Sequence, residues 1–458
     1  MQGARQTRIS HQTTGATTKI DLSQDFRMLC VTNRMSFMDR TPITVLLTFA
    51  LLHFSFAEAE GKPDASANDW QAYVAGLPAL QEKFVPLLRD PEDSRLRQEL
   101  YKFMYSNLSW GYFTRMYQDE SYPDFWPMFN QVYPIGFANP DDSYYQAVID
   151  DKGVYRITGE RGSTRIFDVQ IGSGPLSSWG TGQLGPTKRN FEIDKHVTVN
   201  ADGAFEFILS PERPEAYQGD WLPLDPGASF IWIRQIAYDW ENEKDGVVTI
   251  ERLDVPARRA RESTERLSER MSLLSEFVGN WTALFFEWEK FSGSPFLVND
   301  VEVLDYTHGG GIATQRYIKG KFEIADGEAL ILETEVPKEC RYWMFHLADE
   351  FLSAMNWLHN QVSINGHYAK LDSDGKFRAV ISNTDPGVAN WLDASGYQHG
   401  HIVGRWKECS SYPKPDVKKV MVADVRQHLP KDTRMVTPEE REATLRKMRR
   451  AAQLRRRW

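Results

Sequence analysis

The spacing of apolar residues changes several times along the chain. From Asn68 to about Tyr117 they recur every three or four positions: Trp70, Tyr73, Val74, Leu77 and Leu80, then Leu96, Leu100, Phe103, Met104 and Leu108. That is the period of helices burying one face, and the intervening DPEDS supplies a turn and an N-cap. Pro78 marks a kink in the first run. YPDFWPMFNQVYPIG then reads as a proline-broken aromatic connector. From about Ser143 the period falls to two. Three Asp–Gly turns, at Asp151–Gly153, Asp202–Gly203 and Asp374–Gly375, sit between alternating apolar arms and predict hairpins. Two lie in the first half of the chain and one in the second, which suggests two β modules.

Between the modules the helical period returns. Leu267, Met271, Leu274, Val278, Trp281, Phe285 and Trp288 alternate four and three residues apart, predicting one helix over about 262–291. It packs on a sheet or on the N-terminal helices; the alternative is a coiled-coil seam between subunits. Strands resume from Phe296 to about Trp406. Thr437, Pro438 and Glu440 then carry a capping signature for a terminal helix. That tail holds eight basic and three acidic residues, read as a solvated helix with an anionic surface as the alternative partner.

The N-terminus changes the picture of where the protein works. Met38 opens a short n-region, Ile43 to Phe56 form an apolar run, and small residues follow at Ser55–Ala57 and Ala57–Ala59. This is the pattern of a secretory signal, too short to span a membrane. Residues 1–37 are then a non-native or disordered extension, 38–59 the signal, and the location periplasmic or secreted. The remainder holds 48 basic and 59 acidic residues, a net charge of −11, which argues against nucleic acid as a partner. No stable membrane insertion is expected after cleavage. Of three cysteines, Cys30 lies upstream, and Cys340 and Cys409 either pair in an oxidising compartment or stay as buried thiols.

Several motifs tempt. Gly180–Gly185 fits G-x-G-x-x-G but lacks the following helix that a dinucleotide needs. His308–Gly311 reads HGGG, yet no G-x-S-x-G elbow exists to serve it, so it is kept as a turn bordering a site. His399 and His401 share a strand face as a metal pair, but no spacing singles out His346, His359, His367 or an Asp as third ligand; no metal is assigned and the cofactor is unknown. In SFIWIRQIAYDW, Phe230, Trp232, Arg234, Ile236 and Tyr238 share one face. Arg234 there requires a carboxylate partner or an anionic ligand. The irregular stretch SNTDPGVANWLDASG, Ser382 to Gly396, carries Asp385, Asn390, Trp391 and Asp393. Asx side chains often bond their own loop. A ligand-binding rim and a catalytic carboxylate pair are the alternatives.

FANPDDSYYQAVID, RITGERGSTRIFDVQIGSG and NFEI resemble one bacterial domain of unknown function, number twelve fifty-four. CRYWMFHLADEF, NWLHNQVSINGHYAKLDSDGKFRAVISNTDPGVANWLDASG, GRWKE and the TPEER helix resemble another, number twelve fourteen. The resemblance implies a β-sandwich, jelly-roll-like architecture with helical additions behind a secretion signal. It implies no settled reaction. Its polar positions here are Asn356, Asn365, Arg378, Asp385, Asn390, Asp393 and Arg405.

The expected fold is therefore mainly β with helical additions: two β-sandwich or jelly-roll-like modules joined by a long helix. Residues 60–255 hold the N-terminal helices and first module, 256–292 a linker and the helix, 293–430 the second module, and 431–458 the basic helix. The expected function is a hydrolase or lyase acting on a small hydroxylated or anionic molecule by carboxylate acid–base chemistry. Asp385 and Asp393 are the catalytic candidates. Arg378, Asn390, Trp391, Asn365, Trp343, Trp357, Arg405 and Arg234 are the binding candidates, with Trp343, Trp357 and Trp391 as pocket walls. The alternative is a non-catalytic β-sandwich that binds a glycan or protein partner and forms a homo-oligomer.

Overall fold

The computed structural model describes residues 65–174, 187–289, 293–307 and 311–455. The signal segment, Cys30, the Gly180–Gly185 motif and His308–Gly310 lie outside them. The helical period at the start becomes α1 (Ala65–Phe84) and α2 (Ser94–Gly111), followed by a π-helical turn, Tyr112–Tyr117. The side chain of Asp93 caps α2 by accepting from the amides of Arg95 and Leu96, as the DPEDS cue requires.

Among the described residues the strands form four sheets. In the first module, sheet 1 runs β1 (Trp126–Met128), β2 (Asp142–Val148), β8 (Ala228–Ile236), β4 (Ile166–Ser173), β5 (Thr187–Glu192). Sheet 2 runs β7 (Asp220–Pro223), β6 (Ala204–Ser210), β3 (Tyr155–Glu160), β9 (Val247–Arg252). A short helix α3 (Ile193–His196) links β5 to the approach to β6. In the second, sheet 3 runs β10 (Glu302–Leu304), β11 (Gln315–Glu323), β17 (His399–Cys409), β13 (Cys340–Ala348), β14 (Ser363–Asn365). Sheet 4 runs β16 (Trp391–Asp393), β15 (Lys376–Ser382), β12 (Glu328–Glu335), β18 (Asp416–Met421). The result is a mixed α/β protein with two sandwich-like modules plus helices.

Sheets 1 and 2 enclose one core, with Tyr145, Val169 and Ile233 facing Tyr155, Phe205 and Phe207. Sheets 3 and 4 enclose another around Trp343, Phe345, Phe377 and Ile381. The outer faces of sheets 1 and 3 then meet: Ile166 and Ile236 pack with Tyr342 and Met344, and the Lys407 ammonium sits 2.8 Å from the Asp168 carboxylate. Strands β4 and β13 are buried on both faces; β13 accordingly reads as a nearly apolar run from Tyr342, whereas β4 buries Asp168 and Gln170 among its apolar residues.

Two turns form as expected, with Gly203 and Gly375 at φ of 89° and 79°. The first Asp–Gly turn differs. Its arms become β2 and β3, which lie in different sheets. Tyr145 and Ile149 before the turn and Tyr155 and Ile157 after it share one core. Facing each other across that core buries these side chains more fully than pairing side by side.

The long helix α4 (Thr264–Phe286) is capped by the Ser263 side chain. The later part of its stripe packs within the chain: Trp281 and Phe285, with Phe277 beside them, join Phe84, Phe103 and Trp110 in an aromatic cluster, while Leu267 at the start stays exposed. The terminal helix α5 (Pro438–Leu454) has the full capping box between Thr437 and Glu440. Cys340 and Cys409 stand opposite each other in the β13–β17 register and are bridged. Among the described residues no helix is long and apolar enough to cross a membrane.

Candidate functional site

Where the outer faces of sheets 1 and 3 diverge, α4 covers the gap and leaves a cavity of about 160 Å³. Cavities near this size take a single six-membered ring. The walls are aromatic: Phe129, Tyr144 and Trp232 from the first module, Trp281, Phe285 and Trp288 from the α4 region, and Tyr306 and Tyr317 from the second module. Gly311, the last residue of the HGGG stretch, also lines it. Alternation along β8 puts Phe230 and Trp232 in the aromatic cluster and Arg234 beside the cavity, while Ile231 and Ile233 turn to the sandwich core.

Two guanidiniums enter this apolar space from different sheets. Arg405, 6% exposed, comes from β17 and donates to the Phe137 carbonyl at 2.7 Å and to the Met344 sulfur at 3.6 Å. Arg234, half-buried, donates to the Gln170 side-chain oxygen and lies 5.3 Å from the Trp232 ring centroid and 5.9 Å from that of Tyr144. Among the described residues neither arginine has a carboxylate within 4.0 Å. Asp168 stands directly opposite Arg234 on β4, but its carboxylate is held by Lys407, and both of those side chains are only 1% exposed.

Asp142 is the one carboxylate among the described residues lining the cavity. Burial raises its pKa, against the pull of Arg234 and Arg405. Beside it, burial and then the Asp142 charge push the Tyr144 hydroxyl up. Lys319 adds a third cation; its ammonium donates to the Ser294 carbonyl at 2.7 Å, lies 4.6 Å from the Phe296 ring, and has its pKa lowered by burial. A guanidinium with no ion pair in an apolar wall is costly unless a ligand completes it.

Of the residues picked from sequence, Arg234 and Arg405 are brought together here. The others are not. Arg378 is enclosed by Glu333, Asp372 and Asp374 at 2.6–2.7 Å, and the Asp374 hydrogen bond above all raises its pKa. Asp385 pairs with Arg441 of α5 at 2.9 Å and accepts from the Gly387 amide. Asp393 accepts from the Ser395 amide at 2.7 Å, and burial raises its pKa. The Asn390 side chain accepts from the Lys370 amide and donates to the Lys370 and Arg378 carbonyls.

The pocket expected between Trp343, Trp357 and Trp391 does not form. Trp343 belongs to the core between sheets 3 and 4, Trp391 packs on the outer side of sheet 4 beneath Arg441, and Trp357 is wedged between clusters near α5. Asn365 joins a buried network instead. Its amide and the Trp240 indole donate to one Asp141 oxygen at 2.9 and 2.8 Å, and the Tyr342 hydroxyl donates to the other at 2.7 Å. Burial lifts Asp141 to about 6.

His401 does not point to a metal. Its Nδ1 donates to the Asp349 carbonyl at 2.8 Å, its ring lies between Phe137 and Phe296, and burial lowers its pKa to about 4. Among the described residues no three His, Cys, Asp or Glu side chains are grouped to hold a metal ion.

The sequence reading missed Asp142, Tyr144 and Lys319. The signal for the first two was present: in DDSYYQAV, Asp142, Tyr144 and Gln146 alternate onto one face of β2, opposite β8.

A model described as "Protein of unknown function (DUF1214)" matches residues 183–238 and 325–406. The C-terminal region matches a DUF1214 domain. Both cavity arginines fall inside the matched segments, whereas α4 and the other residues from 239 to 324 lie between them. The resemblance to the N-terminal domain has no counterpart in this match. No curated protein matches the chain significantly. Among solved structures, an uncharacterised protein from Burkholderia cenocepacia is 25% identical with a TM-score of 0.71, covering 78% of this chain and 98% of its own. The VPA0106 protein from Vibrio parahaemolyticus is 13% identical with a TM-score of 0.42, covering 70% of this chain and 98% of its own.

Proposed function

We propose that this protein binds a small organic anion, a carboxylate on a single-ring or short apolar body, in the aromatic cavity between the modules. The observation that carries the reading is a pair of guanidiniums, Arg234 and Arg405, facing one apolar space with no carboxylate within 4.0 Å among the described residues. A carboxylate is the planar acceptor that two such forks suit. The ring would lie among Phe129, Trp232 and Phe285. The test is calorimetry with benzoate and its neutral counterpart benzyl alcohol. Benzoate should bind at least about tenfold tighter, since a charge-assisted contact contributes about 1.5–3 kcal/mol. Equal binding of the two probes, or none of either, sinks the reading.

Acid–base turnover of the bound acid is a second reading, favoured by Asp142. It is the carboxylate lining this space, its pKa is raised, and the Tyr144 hydroxyl lies beside it. A hydrolase or lyase step would then run through Asp142. Asp142→Asn should abolish turnover of an identified substrate while keeping benzoate affinity within a few fold. We place the protein in the periplasm or outside the cell. The apolar run before Ala57 and the Cys340–Cys409 bridge support that address.

A further inference from the structure

A second cavity, separate from the aromatic one, lies beneath the π-helical turn. It measures about 240 Å³ and is lined by Thr114, Arg115 and Gln118 of the α2 end, Arg266, Glu269 and Arg270 of α4, and Glu120, Val148 and Ser229. Single π-helical turns recur at functional sites. Here the turn sets Thr114 and Arg115 against the cavity.

The polar groups divide sharply into those with partners and those without. Arg266 pairs with Glu120 and Glu269 at 3.3 and 3.4 Å, so both lining carboxylates are occupied. Gln118 accepts from the Val148 amide and donates to the Asp124 carbonyl, and the Ser229 hydroxyl donates to the Gly174 carbonyl. One Arg270 nitrogen covers the carbonyls of Met116 and Gln118 at 3.0 and 2.9 Å, so the negative helix end is not turned to the cavity. The other pairs with Asp119 and Glu262 at 3.3 and 3.0 Å.

What remains is a set of buried donors. The Thr114 hydroxyl has no hydrogen-bond partner, on a residue 5% exposed. Arg115 Nε and Nη2 and Arg270 Nε have none either. Arg115 has no carboxylate within 4.0 Å among the described residues, and its guanidinium lies 5.3 Å from the Phe277 ring. A water molecule could satisfy the hydroxyl. It could not pair with the Arg115 charge, which among the described residues feels Glu276 without forming an ion pair with it.

We infer that this cavity binds a tetrahedral oxyanion, phosphate or sulfate, with Thr114, Arg115 and Arg270 as its donors. Burial lowers the Arg115 pKa to about 10, so it stays cationic at neutral pH and keeps its claim on an anion. A phosphate offers enough acceptor oxygens for a hydroxyl and two guanidiniums at once.

The experiment is thermal unfolding of the full chain in inorganic phosphate, sulfate and chloride at matched ionic strength, with affinities from calorimetry. Phosphate and sulfate should raise Tm saturably and chloride should not. Thr114→Val, which keeps the side-chain shape, should weaken phosphate about tenfold, and Arg115→Met about a hundredfold, by loss of one charge-assisted bond and of the charge itself. Both should keep the wild-type Tm in chloride to within a few degrees. Arg405→Leu should leave the phosphate response intact, which separates this site from the aromatic cavity. Glycerol 3-phosphate binding tighter than inorganic phosphate would mark a phosphorylated metabolite as the source; equal binding would mark the free ion. The inference is overturned if chloride stabilises as well as phosphate. It is also overturned if Thr114→Val binds phosphate as the parent does, or if the response vanishes in Arg405→Leu but survives in Thr114→Val.

Discussion

Arg378 and Arg405 make an instructive pair. Both are strand arginines, 8% and 6% exposed, and both belong to the C-terminal module. Arg378 is surrounded by Glu333, Asp372 and Asp374. Arg405 has a carbonyl and a sulfur for company and an apolar cavity in front. The same contrast separates the two regions they represent. The loop 382–396, dense in polar residues, finds partners within the second module and its terminal helix: Asp385 ties to α5, Asp393 to Ser395, Asn390 to Lys370. The cavity has a largely aromatic wall, and among the described residues its two arginines form no ion pair, although Asp142 lines the same space. Polar density in the sequence therefore marked architecture here, and arginines without an ion pair in an apolar wall are what motivates the proposed binding site.

The contrast can be broken by exchanging stability and affinity as readouts. The largest effect is expected for Arg378→Met, which removes the arginine partner of Asp372, only 5% exposed, and of Asp374, while Glu333 keeps Lys376 at 2.6 Å. It should cost about 3–5 kcal/mol in denaturant unfolding, with benzoate affinity unchanged in the folded fraction. Arg405→Leu should do the reverse: stability within about 1 kcal/mol of the parent and benzoate affinity down about a hundredfold, or about 2.7 kcal/mol. If the two variants lose stability alike, the two arginines are equivalent and the comparison fails. Asp385→Asn should cost about 1–2 kcal/mol, because Arg441 retains acceptors at Gln361 and Ala389.

The smallest effect concerns Asp349, whose pKa is lifted by burial to about 7 although the Phe351 and Ser353 amides donate to it. Below about pH 4 it is protonated in folded and unfolded chains alike. Between about pH 4 and 7 the folded chain binds the extra proton, so rising pH lowers stability. A shift of that size allows roughly 4 kcal/mol at full effect, and because the side chain keeps partial contact with solvent the drift should be only a part of it, about 1 kcal/mol over that window. Asp349→Asn should flatten the curve of unfolding free energy against pH, and an unchanged slope would assign the drift to other groups.

Much of the fold was legible in local pattern. The α2 cap at Asp93, the α5 capping box at Thr437 and Glu440, and the turns at Gly203 and Gly375 all follow from short-range chemistry. The first Asp–Gly turn misled because its local cue fixes the reversal and not the sheet each arm joins. At the site, the face of β8 was readable, and with it the demand of Arg234 for a partner. Whether that partner came from the chain was not, since Asp168 stands in the right register but is taken by Lys407, 239 residues further on.

By itself the sequence determined period, caps, turns and the side of each strand that turns inward, because these depend on neighbours a few residues away. Only the tertiary structure decided which charges are neutralised. The partners of Arg378 lie within 45 residues of it, while Arg405 reaches back 268 residues to a carbonyl and, among the described residues, forms no ion pair. Pairing of charges is a property of where distant strands meet, and in this protein that meeting leaves guanidiniums facing an aromatic cavity.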